Sequence, residues 1–339
     1  MPTQKLRFKD DNGQDFPEWE LDPINKLADI NPRSAKIPEK FYYLDLECVN
    51  KGKITKDLVL IDRANAPSRA KRVVFPDDVL FQNVRPYQQN NLYLSINKDF
   101  PIVASTGYSV IRVKGKNSSK FIFYAVHESK FLDSVLMNCS GGTYPAINSS
   151  QLSELFVNVP CLEEQHKIAE FLSTVDEKVE VLEKKLEALN SLKKGFMQKI
   201  FSQELRFKDD SGCNFNEPWI GKKLNELVSF KKGKILSKSH LSDNGVPCVL
   251  YGQLYTSYKE VISTVISKTD YNSKGLVYSS GGEVLMPCSG ETAEDISRAS
   301  YLPLSGVALG GDLHILYPSK EISGNILSYI LNTVCKRHI

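Results

Sequence analysis

The longest regular alternation of apolar and polar positions runs from about 160 to 201, PCLEEQHKIAEFLSTVDEKVEVLEKKLEALNSLKKGFMQKIF. Ile168, Leu172, Val175, Val179, Leu182, Leu186 and Leu189 step by alternate fours and threes. That 3.5-residue period predicts a helix whose apolar seam packs against another helix. Leu192, Phe196 and Ile200 leave the strict repeat, so the seam is expected to rotate or end there. Glu163 and Glu164 in the first turn, with Lys193, Lys194 and Lys199 near the end, suit the helix macrodipole. At 1.5 Å rise per residue the rod is roughly 57 Å long.

On either side the pattern changes to short β-like runs. LVLI (58–61), RVVF (72–75), DVLF (78–81) and SVIRV (109–113) are separated by NPRS, NKGK, APSR, FPDD and KGKNSS turn signals. KFIFYAVHESKFLDSVL (120–136) has helical spacing at Phe123, Val126, His127 and Phe131, and QLSELFVNVP leads into the long helix. After 230 the style repeats: VPCVLYG, GLVYSS, EVLMPCS and HILYP read as strands, and NILSYILNTVCKRHI as a helix. The fold class is therefore mixed α/β, with two similar domains joined by the long coiled-coil-type helix.

Internal duplication supports that division. Gln4, Leu6, Arg7, Phe8, Lys9, Asp10, Asp11, Gly13, Phe16, Glu18 and Trp19 recur as Gln203, Leu205, Arg206, Phe207, Lys208, Asp209, Asp210, Gly212, Phe215, Glu217 and Trp219. INKLADI (24–30) and LNELVSF (224–230) follow. The expected organisation is a first domain over 1–160, the helix over 161–201, and a second domain over 202–339. Ile339 falls opposite Cys139 of the first copy, before the long helix would recur. The second helix is thus expected to be missing by truncation, leaving the seam of the first to a partner chain.

Composition narrows the class. In 339 residues, 43 Lys/Arg oppose 40 Asp/Glu, and the net charge of +3 is weak evidence for a polyanion partner. No apolar run spans a bilayer and the N-terminus has no apolar signal core, so a cytoplasmic protein is expected. Seven cysteines (48, 139, 161, 213, 248, 288, 335) form no C-x-x-C pair, which favours buried thiols over disulfides or zinc. Walker, Rossmann, H-E-x-x-H and G-x-S-x-G patterns are absent, and five histidines are dispersed. Asp77-Asp78 invites a metal reading but fits a turn into a strand. The chain reads as non-catalytic and metal-free.

Two regions carry side chains able to read DNA. QNVRPYQQNN supplies Gln82, Asn83, Arg85, Tyr87, Gln88, Gln89, Asn90 and Asn91; Arg can grip guanine, and Asn or Gln adenine, through paired hydrogen bonds. Arg63, Arg69, Lys71 and Arg72 form a basic cluster suited to phosphates. In the second domain Lys231, Lys232 and Lys234 precede Gln253, Tyr255, Tyr258 and Lys259. The plain alternative for each stretch is a polar surface loop.

With VP-x-LEEQ-x-KIA-x-FLS-x-x-D at 159–176, the LEKKLEALNSLKKGFMQKIF continuation, VLFQNVRPYQQNN, GGTYPAIN and the paired domain starts, the chain resembles the specificity subunit of type I restriction–modification systems. The resemblance implies two target-recognition domains, each reading one half of a bipartite double-stranded DNA site, with helices fixing the gap. It implies modification subunits that carry S-adenosylmethionine and methylate adenine, and restriction subunits that use ATP and magnesium; this chain itself needs no cofactor. A full member packs two antiparallel helices, so here a homodimer or a second specificity fragment is expected through helix 161–201. The competing readings are a stand-alone DNA-binding regulator and a coiled-coil scaffold with no DNA role.

Overall fold

The computed structural model describes residues 7–33, 36–215 and 217–333. Gln4 and Leu6 of the repeat, Ser34 of NPRS, Cys335 and the last residues of the C-terminal helical stretch lie outside them. The chain divides into two compact units, residues 1–183 and 184–339.

The first unit begins with β1 (Glu20–Pro23), α1 (Ile24–Leu27), β2 (Ala28–Ile30), β3 (Lys40–Leu44), β4 (Val49–Asn50), β5 (Lys53–Ile54) and β6 (Val59–Asp62). It continues through β7 (Ala70–Val74), β8 (Val79–Gln82), β9 (Leu92–Tyr93), β10 (Ile102–Ser105) and β11 (Tyr108–Val113). The helices α2 (Ser119–Ala125), α3 (Ser129–Met137) and α4 (Ser149–Glu154) follow, then β12 (Phe156–Val159) and the 40-residue α5 (Leu162–Phe201), whose C-terminal half belongs to the second unit.

Two four-stranded sheets, ordered β6-β3-β10-β7 and β2-β11-β8-β9, build this unit. Strand β8 shows why its first three residues are all apolar. Val79 and Phe81 join the core under α2 and α3, while Leu80 joins the core that holds Leu44, Ile102 and Tyr108. Successive side chains point to opposite faces, and here both faces are covered.

The stretch 120–136 is two helices rather than one. Ser118 Oγ caps α2 by accepting from Phe121 N at 3.3 Å, and His127 Nδ1 lies 2.6 Å from Phe123 O where the chain breaks. Phe121, Ile122, Val126, Phe131 and Val135 are the buried positions, so Phe123 and His127 are only half-buried. The helix α5 does not end where its repeat drifts, but runs unbroken through Leu192 and Phe196 to Phe201.

The second unit holds α6 (Leu224–Leu227), β13 (Val228–Lys232), β14 (Val246–Val249), α7 (Gln253–Thr256), β15 (Ser267–Thr269) and β16 (Val277–Ser280). Then come β17 (Glu283–Pro287), α8 (Ala293–Ile296), β18 (Ser300–Leu302), β19 (Ser305–Leu309), β20 (Leu313–Pro318) and α9 (Gly324–Thr333). Its sheets are ordered β15-β14-β19-β16 and β13-β20-β17-β18. Taken in chain order, these strands pair as the corresponding strands of the first unit do. The single parallel pair recurs too, β10 on β3 and β19 on β14. The duplicated sequence is thus a duplicated topology across the two four-stranded sheets of each unit, while the short pairs β1-β12 and β4-β5 occur in the first unit alone among the described residues.

The repeated segment at each domain start folds into the same turn. Asp10 Oδ1 accepts from Asn12 N and Gln14 N; Asp209 Oδ1 accepts from Ser211 N and Cys213 N. In the first unit this segment grips the start of α5. Arg7 donates to Glu164 through Nε (3.2 Å) and Nη2 (2.8 Å), and Trp19 Nε1 donates to the same carboxylate at 3.0 Å. Glu164 is fully buried, and a buried charge is tolerated when it is paired in this way. Gln165, also buried, accepts from Ser118 N and donates to Asn117 Oδ1 and Pro160 O. Lys167 reaches Asp11 at 2.6 Å, raising its own pKa and lowering that of Asp11 through the shared hydrogen bond. Phe8 meets Phe171 edge-on at 5.6 Å. So Glu164, expected only to suit the helix dipole, anchors the helix to the domain.

The seam itself divides. Ile168 packs on the first core and Leu172 is half-buried, but Val175, Val179, Leu182, Leu186 and Leu189 are exposed, Leu186 by 59%.

Candidate nucleic-acid interface

Asp78 must be placed first, because it sets the strand that delivers the 82–91 loop. Its carboxylate accepts from Phe75 N (2.8 Å) and from Arg112 Nε (2.7 Å) and Nη2 (2.6 Å). The hydrogen bond to Asp78 raises the Arg112 pKa. Asp77 takes a left-handed turn residue at φ +71°. This pair is therefore a turn and an ion pair leading into β8. Among the described residues no group of three or more His, Cys, Asp or Glu side chains could hold a metal ion.

The loop after β8 is built from its own amides. Gln82 is buried; its Nε2 donates to Val84 O and Gln88 Oε1, and its Oε1 accepts from Asn90 N. Asn91 Oδ1 accepts from Gln82 N at 2.8 Å. Arg85 and Gln89 adopt left-handed backbone (φ +54° and +51°), closing a short turn around Pro86–Gln88. Arg85 N donates to Pro145 O at 2.8 Å and Ile147 N to Asn83 O at 3.1 Å, so the loop is tied to the GGTYPAIN turn. The Arg85 guanidinium lies 4.4 Å above the Tyr144 ring, a cation–π contact that holds it in place without neutralising it.

These pieces line an open cleft of about 890 Å³: Gln82, Arg85, Gln88 and Asn90 come from the loop, Asp45, Glu47, Arg69 and Thr106 from elsewhere in the unit, and Tyr144 from the GGTYPAIN turn. Its acids are occupied: Asp45 accepts from Leu46 N (2.7 Å) and Glu47 pairs with Lys56 (3.1 Å). Arg69, Lys71, Arg72 and Arg85 meet no carboxylate among the described residues.

Several candidates sit differently from the pattern reading. Arg63 is neutralised by Glu39 at 2.5 Å and also donates to Ile37 O. Lys71 and Arg72 are successive residues of β7 and point to opposite faces, so Arg69 alone of that cluster lines the cleft. Gln82 and Asn83 are buried beneath the loop, with Asn83 Oδ1 lacking a hydrogen-bond partner. Tyr87, 51% exposed, is not among the cleft's lining, Gln88 is exposed at the cleft wall, and Gln89 is half-buried. Asn90, from the QNVRPYQQNN run, lines the cleft too; Asn50, Thr106 and Tyr144 also line it and were not singled out from sequence, although Tyr144 lies in the GGTYPAIN string.

The second unit has a cleft of about 620 Å³ lined by Ser237, Lys238, Tyr251, Gln253, Tyr255 and Thr256, among others. Gln253 is again a scaffold: Oε1 accepts from Leu250 N, and Nε2 donates to Ser267 Oγ at 2.5 Å. Tyr258 Oη accepts from Ile266 N, and burial pushes its phenol up. Lys231 lies over the Tyr317 ring at 5.2 Å; Lys232, Lys234 and Lys259 are exposed, none of them lining the cleft. Lys238 supplies the cleft's cation instead.

Residues 88–191, the outer half of the loop through most of α5, match the type I restriction modification DNA specificity domain. The putative type I restriction enzyme MjaX specificity subunit of Methanocaldococcus jannaschii is 43% identical over 220 residues, which cover 62% of this chain and 47% of that one. The MjaVIII specificity subunit of the same organism is 31% identical over 153 residues, covering 44% and 35%. A solved type I restriction–modification S subunit from M. genitalium shares the fold, with a TM-score of 0.54 at 16% identity over 98% of this chain and 81% of its own. Residues 88–191 thus carry a type I restriction modification DNA specificity domain, and the chain is similar to type I restriction enzyme specificity subunits over that part and beyond it. It spans between about a third and a half of the length of the curated relatives it matches. No helix among the described residues is long and apolar enough to cross a membrane.

Proposed function

We propose that this chain is a non-catalytic DNA-recognition subunit in which each unit reads part of a double-stranded target. The observation that carries the reading is Arg85. It sits on a turn pinned to a second loop, 4.4 Å over the Tyr144 ring, without a carboxylate among the described residues, lining an open cleft that Gln88 and Asn90 also line. A planar fork of donors so held suits the guanine edge, and Arg69 across the cleft suits a phosphate. The exposed Val175–Leu189 stripe of α5 supports pairing with a second such helix, from another copy or another specificity fragment. Modification subunits that methylate adenine, and restriction subunits beyond them, are the partners this reading assigns.

Binding of the full chain with its modification subunits to duplex DNA, followed by anisotropy at 50 and 200 mM salt, tests the proposal. A steep salt slope is expected. Arg85→Ala should weaken specific binding by ~1–3 kcal/mol and relax the preference at one position only. Salt-independent binding would reject the DNA reading. Loss spread equally over all sequences would assign Arg85 to a phosphate.

A further inference from the structure

The two copies of the domain-start segment share a fold but not their surroundings. In the first unit Arg7 donates through Nη2 to Pro17 O at 2.7 Å; in the second, Arg206 donates through Nη2 to Glu217 O at 2.9 Å. Each arginine is tied to the backbone carbonyl two residues before the segment's tryptophan. Arg7 also grips the buried Glu164 of the α5 start. Arg206 meets no carboxylate among the described residues. The aromatics differ in the same sense. Phe16 is 7% exposed beside Lys167, whereas its counterpart Phe215 is 55% exposed. Phe207, the counterpart of Phe8, is open too, and no aromatic ring among the described residues meets it as Phe171 meets Phe8. Around them is a groove of about 410 Å³ lined by Ile200, Leu205, Arg206, Phe207, Phe215 and Trp219.

We infer that this groove is a docking site for the opening turns of a helix with the spacing Glu-x-x-Lys-x-x-x-Phe, the spacing of Glu164, Lys167 and Phe171, borne by a separate polypeptide. The glutamate meets Arg206 and Trp219 Nε1, the lysine meets Asp210 as Lys167 meets Asp11, and the phenylalanine covers Phe207. Charge complementarity and the preset arginine select this occupant over a merely apolar one, since a carboxylate there completes a charge-assisted pair. The inference stands apart from the DNA reading: it follows from the comparison of the two segments and holds whatever the clefts bind.

The chain has two tryptophans, Trp19 and Trp219. Full-length protein labelled with 5-fluorotryptophan therefore gives two fluorine resonances, assigned by Trp19→Phe and Trp219→Phe. The probe is a synthetic peptide of the chain's own residues 159–180. It should shift the Trp219 resonance saturably and leave that of Trp19 in place. The same peptide with glutamine at the position of Glu164 should bind about tenfold more weakly or worse. Arg206→Ala should weaken the unmodified peptide alike, and Arg206→Lys should restore part of the affinity; unchanged melting and an unchanged free Trp219 resonance show that both variants fold. A Trp219 shift insensitive to Arg206 would mean that the peptide binds the α5 seam, and it would overturn the inference. So would a shift of Trp19 alone, or none.

Discussion

Replacing Glu164 with glutamine isolates what ties α5 to the first unit. The side chain keeps its shape but loses its charge at a site with no solvent exposure. Three donors converge on it, Arg7 Nε and Nη2 and Trp19 Nε1, at 3.2, 2.8 and 3.0 Å. A carboxylate accepts from all three, whereas an amide offers one oxygen and turns an NH2 toward the remaining donor. Hydrogen bonds to a charged group contribute ~1.5–3 kcal/mol against ~0.5–1.5 for neutral ones, so a loss of ~2–4 kcal/mol is expected for Glu164→Gln. In a Trp219→Phe background Trp19 is the sole tryptophan and reports on this contact directly. With a urea slope of ~2 kcal/mol/M the unfolding midpoint should fall by ~1–2 M. Glu163→Gln, at the exposed neighbouring position, is the control and should stay within ~0.5 kcal/mol. Midpoints that coincide for the two variants would refute the anchoring role.

Other outcomes can be checked separately. Asp78→Asn leaves Arg112 beside a buried amide and should cost ~2–3 kcal/mol in urea unfolding; a change below ~0.5 kcal/mol would show the pair to be dispensable. Burial pushes the Cys248 thiol from its ordinary 9.0 up to about 11. The folded state therefore favours the neutral thiol. Its contribution to stability is complete below pH 9 and is lost as pH rises toward 11, so Cys248→Ala should flatten that alkaline limb in chemical denaturation, whereas the exposed Cys213→Ala should not. Leu182→Glu charges an exposed seam position, and sedimentation equilibrium should show loss of self-association with both units still melting normally; an unchanged assembly would place the partner face elsewhere.

The long helix and the duplication were legible because both are written in local patterns, a 3.5-residue period and a repeated string. Buried strands such as VLF in β8 were legible for a similar reason, since two covered faces leave no polar position. The polar residues were harder. Gln82 and Gln253 have the side chains of base readers, yet each spends its amide holding its own loop together. Glu164 and Gln165 looked like surface residues of a helix start, but their partners come from residues 7, 19, 117 and 118, far away along the chain. Which polar groups turn inward is set by such distant contacts, and no periodicity records them. The cleft inherited this gap: Arg85, Arg69 and Gln88 were named in advance, but Tyr144 was seen only once its turn lay beneath Arg85.

The contact between Arg7 and Glu164 closes a separation of 157 residues. On the ribosome Arg7 emerges ahead of the glutamate it binds, which at ~5–20 residues per second follows only after roughly 8–30 s. During that interval Phe8, Phe16 and Trp19 are open to nascent-chain chaperones. The domain can seal only when the linker helix begins to leave the exit tunnel, so completion of the first half is timed by the synthesis of the element that leads to the second.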